Sequence, residues 1–419
     1  MVKHFGFHMT RFFTRQRFGR PQFLAASLLL LFLAQALWLV HTELQSPSQT
    51  PSASEQARIT AGWRQLHGGG IAGAPFPDSP STLPPEVSED AGFDTEHSPL
   101  LSIATAAPLL AAPQSLLNPK SFPRWRWLPR LPFLACGLAL AASLWYVARR
   151  LCGNPGGFLA LTLYCFSPAM IQSSAVWHTE PEILAVWGAF GAIFTAIAVA
   201  HTLYAPREVV LWNWRRIVLL GISLAIAIGS QFSLVILLPL ALAFLLYLAP
   251  FRRAAALAIW ISSSLMALAL LFAAYLFHPH AFFESLRHAS FWGATWRSFT
   301  VMAVYRHVVL RMLRACPALA LLLPVAIATY CVWPRTRYFG NTAPLLVAAL
   351  FTALGMAHPD QAGAGFLLAS VPFLLIFVSG ILADLMETPF RALVTASLWA
   401  LLGAYILWNL LNLAHVPPG

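Results

Sequence analysis

Eleven apolar runs, nearly free of charge, leave this chain few ways to fold. They lie at 23–40, 131–147, 157–171, 183–200, 217–231, 233–249, 254–277, 317–332, 343–355, 364–382 and 392–411. Runs near 18 apolar residues read as membrane spans, because a helix satisfies its own backbone polar groups where no water can. With 58% hydrophobic and 10% charged residues, against about 25% charged in soluble domains, the chain has more apolar surface than a water-soluble core hides. That balance also excludes a disordered chain and a coiled coil. The sequence therefore predicts an all-α, polytopic membrane protein of about 11 transmembrane helices, forming one membrane domain over 1–419. The first run is too long for a signal-peptide core, and its flank His41-Thr42-Glu43 offers no small-residue cleavage site. It reads as a retained first span.

The net charge of +11 is carried by 24 Arg and only two Lys, Lys3 and Lys120. No basic stripe is interleaved with polar surface, so nucleic acid is not an expected partner. Position explains the charge better. Residues 1–22 hold Lys3, Arg11, Arg15, Arg17 and Arg20 with no acid, which places them in the cytoplasm under the positive-inside rule. Threading eleven spans from there gives 15 basic against 3 acidic residues inside, and 11 against 12 outside. The C-terminus falls outside. Five cysteines sit in or beside apolar runs with no CxxC spacing, and read as packing residues.

Two extracytoplasmic segments, 41–130 and 278–316, are too long to be simple connectors. The stretch 75–90 is rich in Pro and Ser and reads as flexible. Ile59, Trp63 and Leu66 recur at helical spacing, predicting an interfacial helix over 54–66. The apolar stretch 99–112 is too short to span and reads as dipping into the interface. No internal repeat is visible, which argues against a transporter of inverted halves.

Eight of the fifteen acids fall between Glu43 and Glu96. Three carboxylates stand beside apolar segments on the outer side: Glu55, Glu96 and Glu180. A carboxylate there is costly unless solvated or paired. It can serve as general base toward a hydroxyl, or hold a divalent cation against a phosphate leaving group. Ser52-x-x-Glu55 and Thr179-x-x-Glu182 also match capping boxes, so Glu55 and Glu180 have an alternative, structural reading. Glu96 and His97, followed by Ser98-Pro99, have no helix of their own to cap, and are the candidate metal ligands. The second segment carries Arg287, Arg297, Arg306, Arg311 and Arg314 among aromatics, against Glu284 alone. Its two readings are a pocket for a lipid-linked phosphate and anchoring to anionic membrane lipid.

These segments, in this order, resemble the bacterial dolichyl-phosphate-mannose-protein mannosyltransferase-like enzymes, glycosyltransferase family 39 of the C-type membrane fold. The motifs that carry the resemblance are the stretch from Ser54-Glu55 to Ala61-Gly62-Trp63, then Glu96-His97-Ser98-Pro99-Leu100, then Phe166-Ser167-Pro168 with Thr179-Glu180, and finally Val371-Pro372-Phe373. The pattern departs from the family at Ser54, Ser98 and Gly365, where an Asp, a Pro and an Arg are expected. The resemblance implies an inner-membrane enzyme that moves a sugar from a polyprenyl-phosphate donor to an acceptor at the outer face, by inverting displacement with a carboxylate base. Glu55, Glu96 and Glu180 would share the catalytic work. His97, Arg287, Arg297, Arg306 and Arg311 would bind substrate. The loss of the acid at position 54 motivates the alternative, a non-catalytic lipid-binding or assembly protein of the same fold, with transport a third reading.

Overall fold

The computed structural model describes residues 20–44, 53–67, 97–113, 117, 122–175, 183–204, 214–289, 291, 294–358 and 361–414. The expected flexible stretch 75–90 lies outside them, as do Glu96 and Glu180. All regular structure among the described residues is helical. In chain order the helices are α1 (Arg20–Leu44), α2 (Ala53–Leu66), α3 (Pro99–Ala106), α4 (Phe122–Trp125), α5 (Leu131–Cys165), α6 (Pro168–Ala175), α7 (Ile183–Thr202) and α8 (Trp214–Ser230). They continue as α9 (Leu237–Leu248), α10 (Arg253–Ala274), α11 (Pro279–His288), α12 (Met302–Ala315), α13 (Leu319–Val332), α14 (Phe339–Ala357), α15 (Gln361–Leu385) and α16 (Arg391–Ala414). This is the architecture of a polytopic membrane protein.

Each of the eleven apolar runs lies largely on helix, but among the described residues only seven stretches are long and apolar enough to cross a membrane by themselves. The differences have identifiable causes. Helix α8 has 17 residues and α9 has 12, with Gln231 and a 3₁₀ turn between them. Helix α13 has 14 residues and meets α12 at 107°. The seven include α5 counted once, yet α5 folds back on itself. A straight helix of its 35 residues would be about 52 Å long, far beyond the ~30 Å of hydrocarbon. At Cys152–Gly153 the backbone leaves the helix, with Gly153 at φ 72°, a conformation side-chain-bearing residues avoid. Beyond that turn the Tyr164 hydroxyl donates to the Gly137 carbonyl at 2.9 Å, across 27 residues. The runs 131–147 and 157–171 are thus two antiparallel arms.

The core forms around α15, whose residues from Gly365 to Ala383 are all buried, whereas only 22% of the most apolar stretch of α16 is buried. Helices α5, α7, α13 and α14 pack on it. Phe373 of α15 meets Phe190 and Phe194 of α7 and Phe351 of α14, with ring centroids 5.5–5.8 Å apart. A helix apolar all round is what such a central position requires. At one end of the bundle, beside the Cys152 turn, Asn341 donates to Asp384 and to the Thr336 carbonyl, each at 3.0 Å. The exposed pair Arg335–Glu387 closes at 2.8 Å. At the other end α2 and α3 pack against each other and α3 against α8.

All five cysteines are free thiols; Cys165 and Cys316 are buried and Cys136 and Cys152 partly so, whereas Cys331 is exposed and does not pack in the interior. Burial pushes the Cys316 thiol, between α12 and α13, up to about 11, so it is a neutral group at physiological pH.

The return arm of α5 needs glycine at 157. A Cβ there would sit 3.0 Å from the Arg149 Cα, which is fixed backbone. Gly157→Leu is expected to destabilise the folded protein by about 2–3 kcal/mol, as overpacking does, seen as a lower melting midpoint in detergent. An unchanged midpoint would show that the hairpin does not close this tightly.

Candidate functional site

Helix α2 covers the helix expected over 54–66; Ser52 of the expected capping box lies outside the described residues. Glu55, Ile59, Gly62 and Trp63 recur at i, i+4, i+7 and i+8, and all four are buried on one stripe. The stripe lies across α3 so closely that a Cβ on Gly62 would come within 2.0 Å of the Ser102 carbonyl oxygen. Glu55, with no exposed surface, is the polar member of this apolar stripe. Its carboxylate lies 3.3 Å from Nη2 of Arg126 and 3.7 Å from Nη2 of Arg130. Arg130 is itself fully buried and donates through Nη1 to the Ala175 carbonyl, the last residue of α6, at 3.3 Å. A cation at a helix C-terminus is favourably placed. Glu55 thereby joins α2 to the approach of α5 and, through Arg130, to α6.

Helix α3 begins where the sequence suggested an interruption. Ser98 is its N-cap: the hydroxyl accepts from the Leu100 N–H at 3.2 Å and donates to the Gly229 carbonyl at 2.7 Å. Pro99 opens the first turn, where its missing N–H costs nothing. His97, partly buried, immediately precedes this cap.

A cavity of ≈440 Å³ opens between α6, α12 and α15. Gln172 of α6 and His307, Arg311 and Arg314 of α12 supply its polar wall, and Leu367 and Leu368 of α15 its apolar one. His307, Arg311 and Arg314 recur at i, i+4 and i+7, so one helix face presents two guanidiniums and an imidazole. Met302, Tyr305 and Val309 leave an apolar strip exposed elsewhere on the same helix. With α12 turned 107° from α13, this is an amphipathic helix suited to lying along a membrane surface. Chemically, the cavity combines anion-binding donors with apolar surface.

The expected arginines therefore separate. Arg311 lines the cavity, as does Arg314; Arg287 on α11, Arg297 in the turn Trp296–Thr300 and Arg306 on α12 are exposed and do not line it. Glu55 sits in the ion cluster, away from the cavity wall, although α6 connects the two: its last residue takes the Arg130 bond, and Ala169 and Gln172 face the cavity. Among the described residues no three His, Cys, Asp or Glu side chains are grouped as metal ligands. At position 365, where the resemblance expects Arg, a Cβ would lie 2.0 Å from Oε1 of Gln231. The Gln231 amide occupies that space. Sequence reasoning missed Arg126 and Arg130. Their signal was present: two cations at i, i+4 immediately before an apolar run.

Comparison with protein-family models, with curated proteins and with solved structures finds no match to this chain.

Full burial has a consequence for Glu55. A general base must reach the proton it takes, and this carboxylate is covered by α2's own packing and by two guanidiniums. Glu55→Gln is expected to lower stability by about 3 kcal/mol, the scale of breaking a buried ion pair, and to reduce the amount of folded protein. The measurement is thermal unfolding in detergent beside Glu284→Gln, an exposed control. A Glu55 variant as stable as the control would return Glu55 to the list of bases.

Proposed function

We propose that the chain is a membrane glycosyltransferase that moves a sugar from a polyprenyl-phosphate donor to an acceptor hydroxyl at the outer face of the membrane. The observation that carries this reading is the cavity with Arg311, Arg314 and His307 on one wall and leucines on another. Guanidinium pairs suit phosphate through bidentate, charge-assisted bonds, and the apolar wall suits the first units of a polyprenyl chain. The order of motifs along the sequence adds to it.

The reaction follows from the charges. The acceptor oxygen attacks the anomeric carbon as the bond from that carbon to the phosphate oxygen breaks. The hydroxyl proton passes to a carboxylate, and the polyprenyl phosphate leaves with its charge held by Arg311 and Arg314. With Glu55 buried in its ion cluster, the base is assigned to Glu96 or Glu180. Glu180 lies five residues beyond Ala175, the end of the helix that lines the cavity. A divalent cation, if the reaction uses one, would be held by Glu96 and His97.

The proposed orientation puts the Cys152 turn and the Arg335–Glu387 pair in the cytoplasm and α2, α3 and the cavity outside. The inside charge bias supports it, because Arg149, Arg150, Arg335 and Arg337 all belong to the former end. One observation favours the second reading, a lipid-binding or assembly protein of the same fold. Glu55, the carboxylate nearest the family's expected base, is spent on structure.

Two outcomes are expected. Arg311→Ala and Arg314→Ala each weaken binding of a polyprenyl phosphate by about 1.5–3 kcal/mol, whereas Arg287→Ala and Arg297→Ala change it by much less. Equal, small losses at all four would indicate plain lipid anchoring. Glu96→Gln, which keeps shape but removes charge, lowers turnover of a polyprenyl-phosphate sugar by about 10²–10⁴ at equal folded amount. Turnover equal to the parent's would remove Glu96 from the mechanism, and turnover absent from both would favour the non-catalytic reading.

A further inference from the structure

The chain breaks its helices twice beside the basic cavity, and the two breaks face each other. One is Phe166-Ser167-Pro168, between the return arm of α5 and α6; the other is Ala315-Cys316-Pro317, between α12 and α13. A proline supplies no N–H, so carbonyls ahead of each break lose their helical donors. Buried carbonyls left so are costly. Here side-chain hydroxyls serve them. The Ser167 hydroxyl donates to the Ala315 carbonyl at 2.6 Å, and the Tyr405 hydroxyl of α16 donates to the Phe166 carbonyl at 2.7 Å. The Cys316 thiol lies 3.4 Å from the same tyrosine oxygen. Ser167 and Cys316 have no exposed surface, and Tyr405 only 6%.

Ser167 holds an unusual position. Its own carbonyl accepts the Ile171 N–H at 3.1 Å, which makes it the residue that opens α6. A serine there ordinarily turns its hydroxyl to an N–H of its own helix's first turn. This one crosses to the end of α12 instead. Both helices it joins line the cavity: Ala169 follows it by two residues, and its acceptor Ala315 is itself a wall residue.

Resting on the lipid-phosphate reading of that cavity, we infer that Ser167 and Tyr405 are positioning residues for it. They fix the helix carrying His307, Arg311 and Arg314 against the helix carrying Gln172, without touching the ligand themselves. A guanidinium fork binds phosphate well only when its geometry is held, so loosening the seam costs affinity through the arginines.

The test uses the full chain in lipid nanodiscs, with a polyprenyl phosphate as probe, and Ser167→Ala and Tyr405→Phe, each of which removes one oxygen. Each is expected to weaken binding about tenfold, the effect of losing a buried hydrogen bond. Ser167→Thr, which keeps the hydroxyl, is expected to bind within about twofold of the parent. In an Arg311→Ala background the loss from Ser167→Ala should shrink to under about twofold, because coupled residues are not additive. A tenfold loss that persists in that background would mean general loosening and overturn the inference. So would parent-like binding by Ser167→Ala and Tyr405→Phe beside a weakened Arg311→Ala, an outcome that leaves the lipid-phosphate reading standing. A parent that binds no probe, while Ser167→Ala folds normally, would sink that reading and this inference together.

Discussion

The last carbonyls of a helix have no partner within it, and in a membrane protein they cannot rely on water. Much of this molecule's long-range order follows from how they are satisfied. Gln35 donates to the Cys165 carbonyl at the end of α5, Arg130 to Ala175 at the end of α6, and Ser98 to Gly229 near the end of α8. Gln65 donates to Ala274 at the end of α10, Ser167 to Ala315 at the end of α12, and the Thr295 N–H to Ala357 at the end of α14. In each case the donor comes from another part of the chain. Gln65, Ser98 and Arg130 on one side and Thr295 on the other tie the described parts of 41–130 and 278–316 to helix ends, and short helices such as α2 and α3 are anchored partly in this way.

The same economy governs the charges. A buried guanidinium is tolerated only with several acceptors, and Arg130 has both a carboxylate and a helix-terminal carbonyl. Glu55 faces two arginines rather than one. The cavity differs in kind: Arg311, Arg314 and His307 share its wall with leucines and Met312 rather than with a carboxylate.

Much of this was legible in the sequence and some was not, for physical reasons. Every apolar run became helix, because in hydrocarbon composition alone decides the matter. The hairpin at Cys152–Gly153 was legible as two separate runs with Gly and Pro between. What composition could not say was which helices reach full length, since a 3₁₀ turn at Phe232–Ile236 or a bend at Cys316 depends on the neighbours that accept it. Glu55 was read as a helix cap or a base because both follow from local spacing; its burial depends on Arg126 and Arg130, some seventy residues away. The arginines of 278–316 looked equivalent until helical phase sorted Arg311 and Arg314 from Arg306. Ser98-Pro99 looked like a break because its partner, Gly229, lies 131 residues downstream.

The burial of α15 from Gly365 to Ala383 bears on how the protein is made. It follows α5, α7, α13 and α14 along the chain, and all four close around it. Until it arrives, those helices have an empty trench at their centre. In water such a vacancy would drive collapse or aggregation. In a bilayer, hydrocarbon chains are as apolar as the leucines they replace and can stand in for the missing helix. Assembly would then end not with hydrophobic collapse but with an exchange, in which α15 displaces lipid and tight ring packing around Phe373 replaces loose contacts with acyl chains.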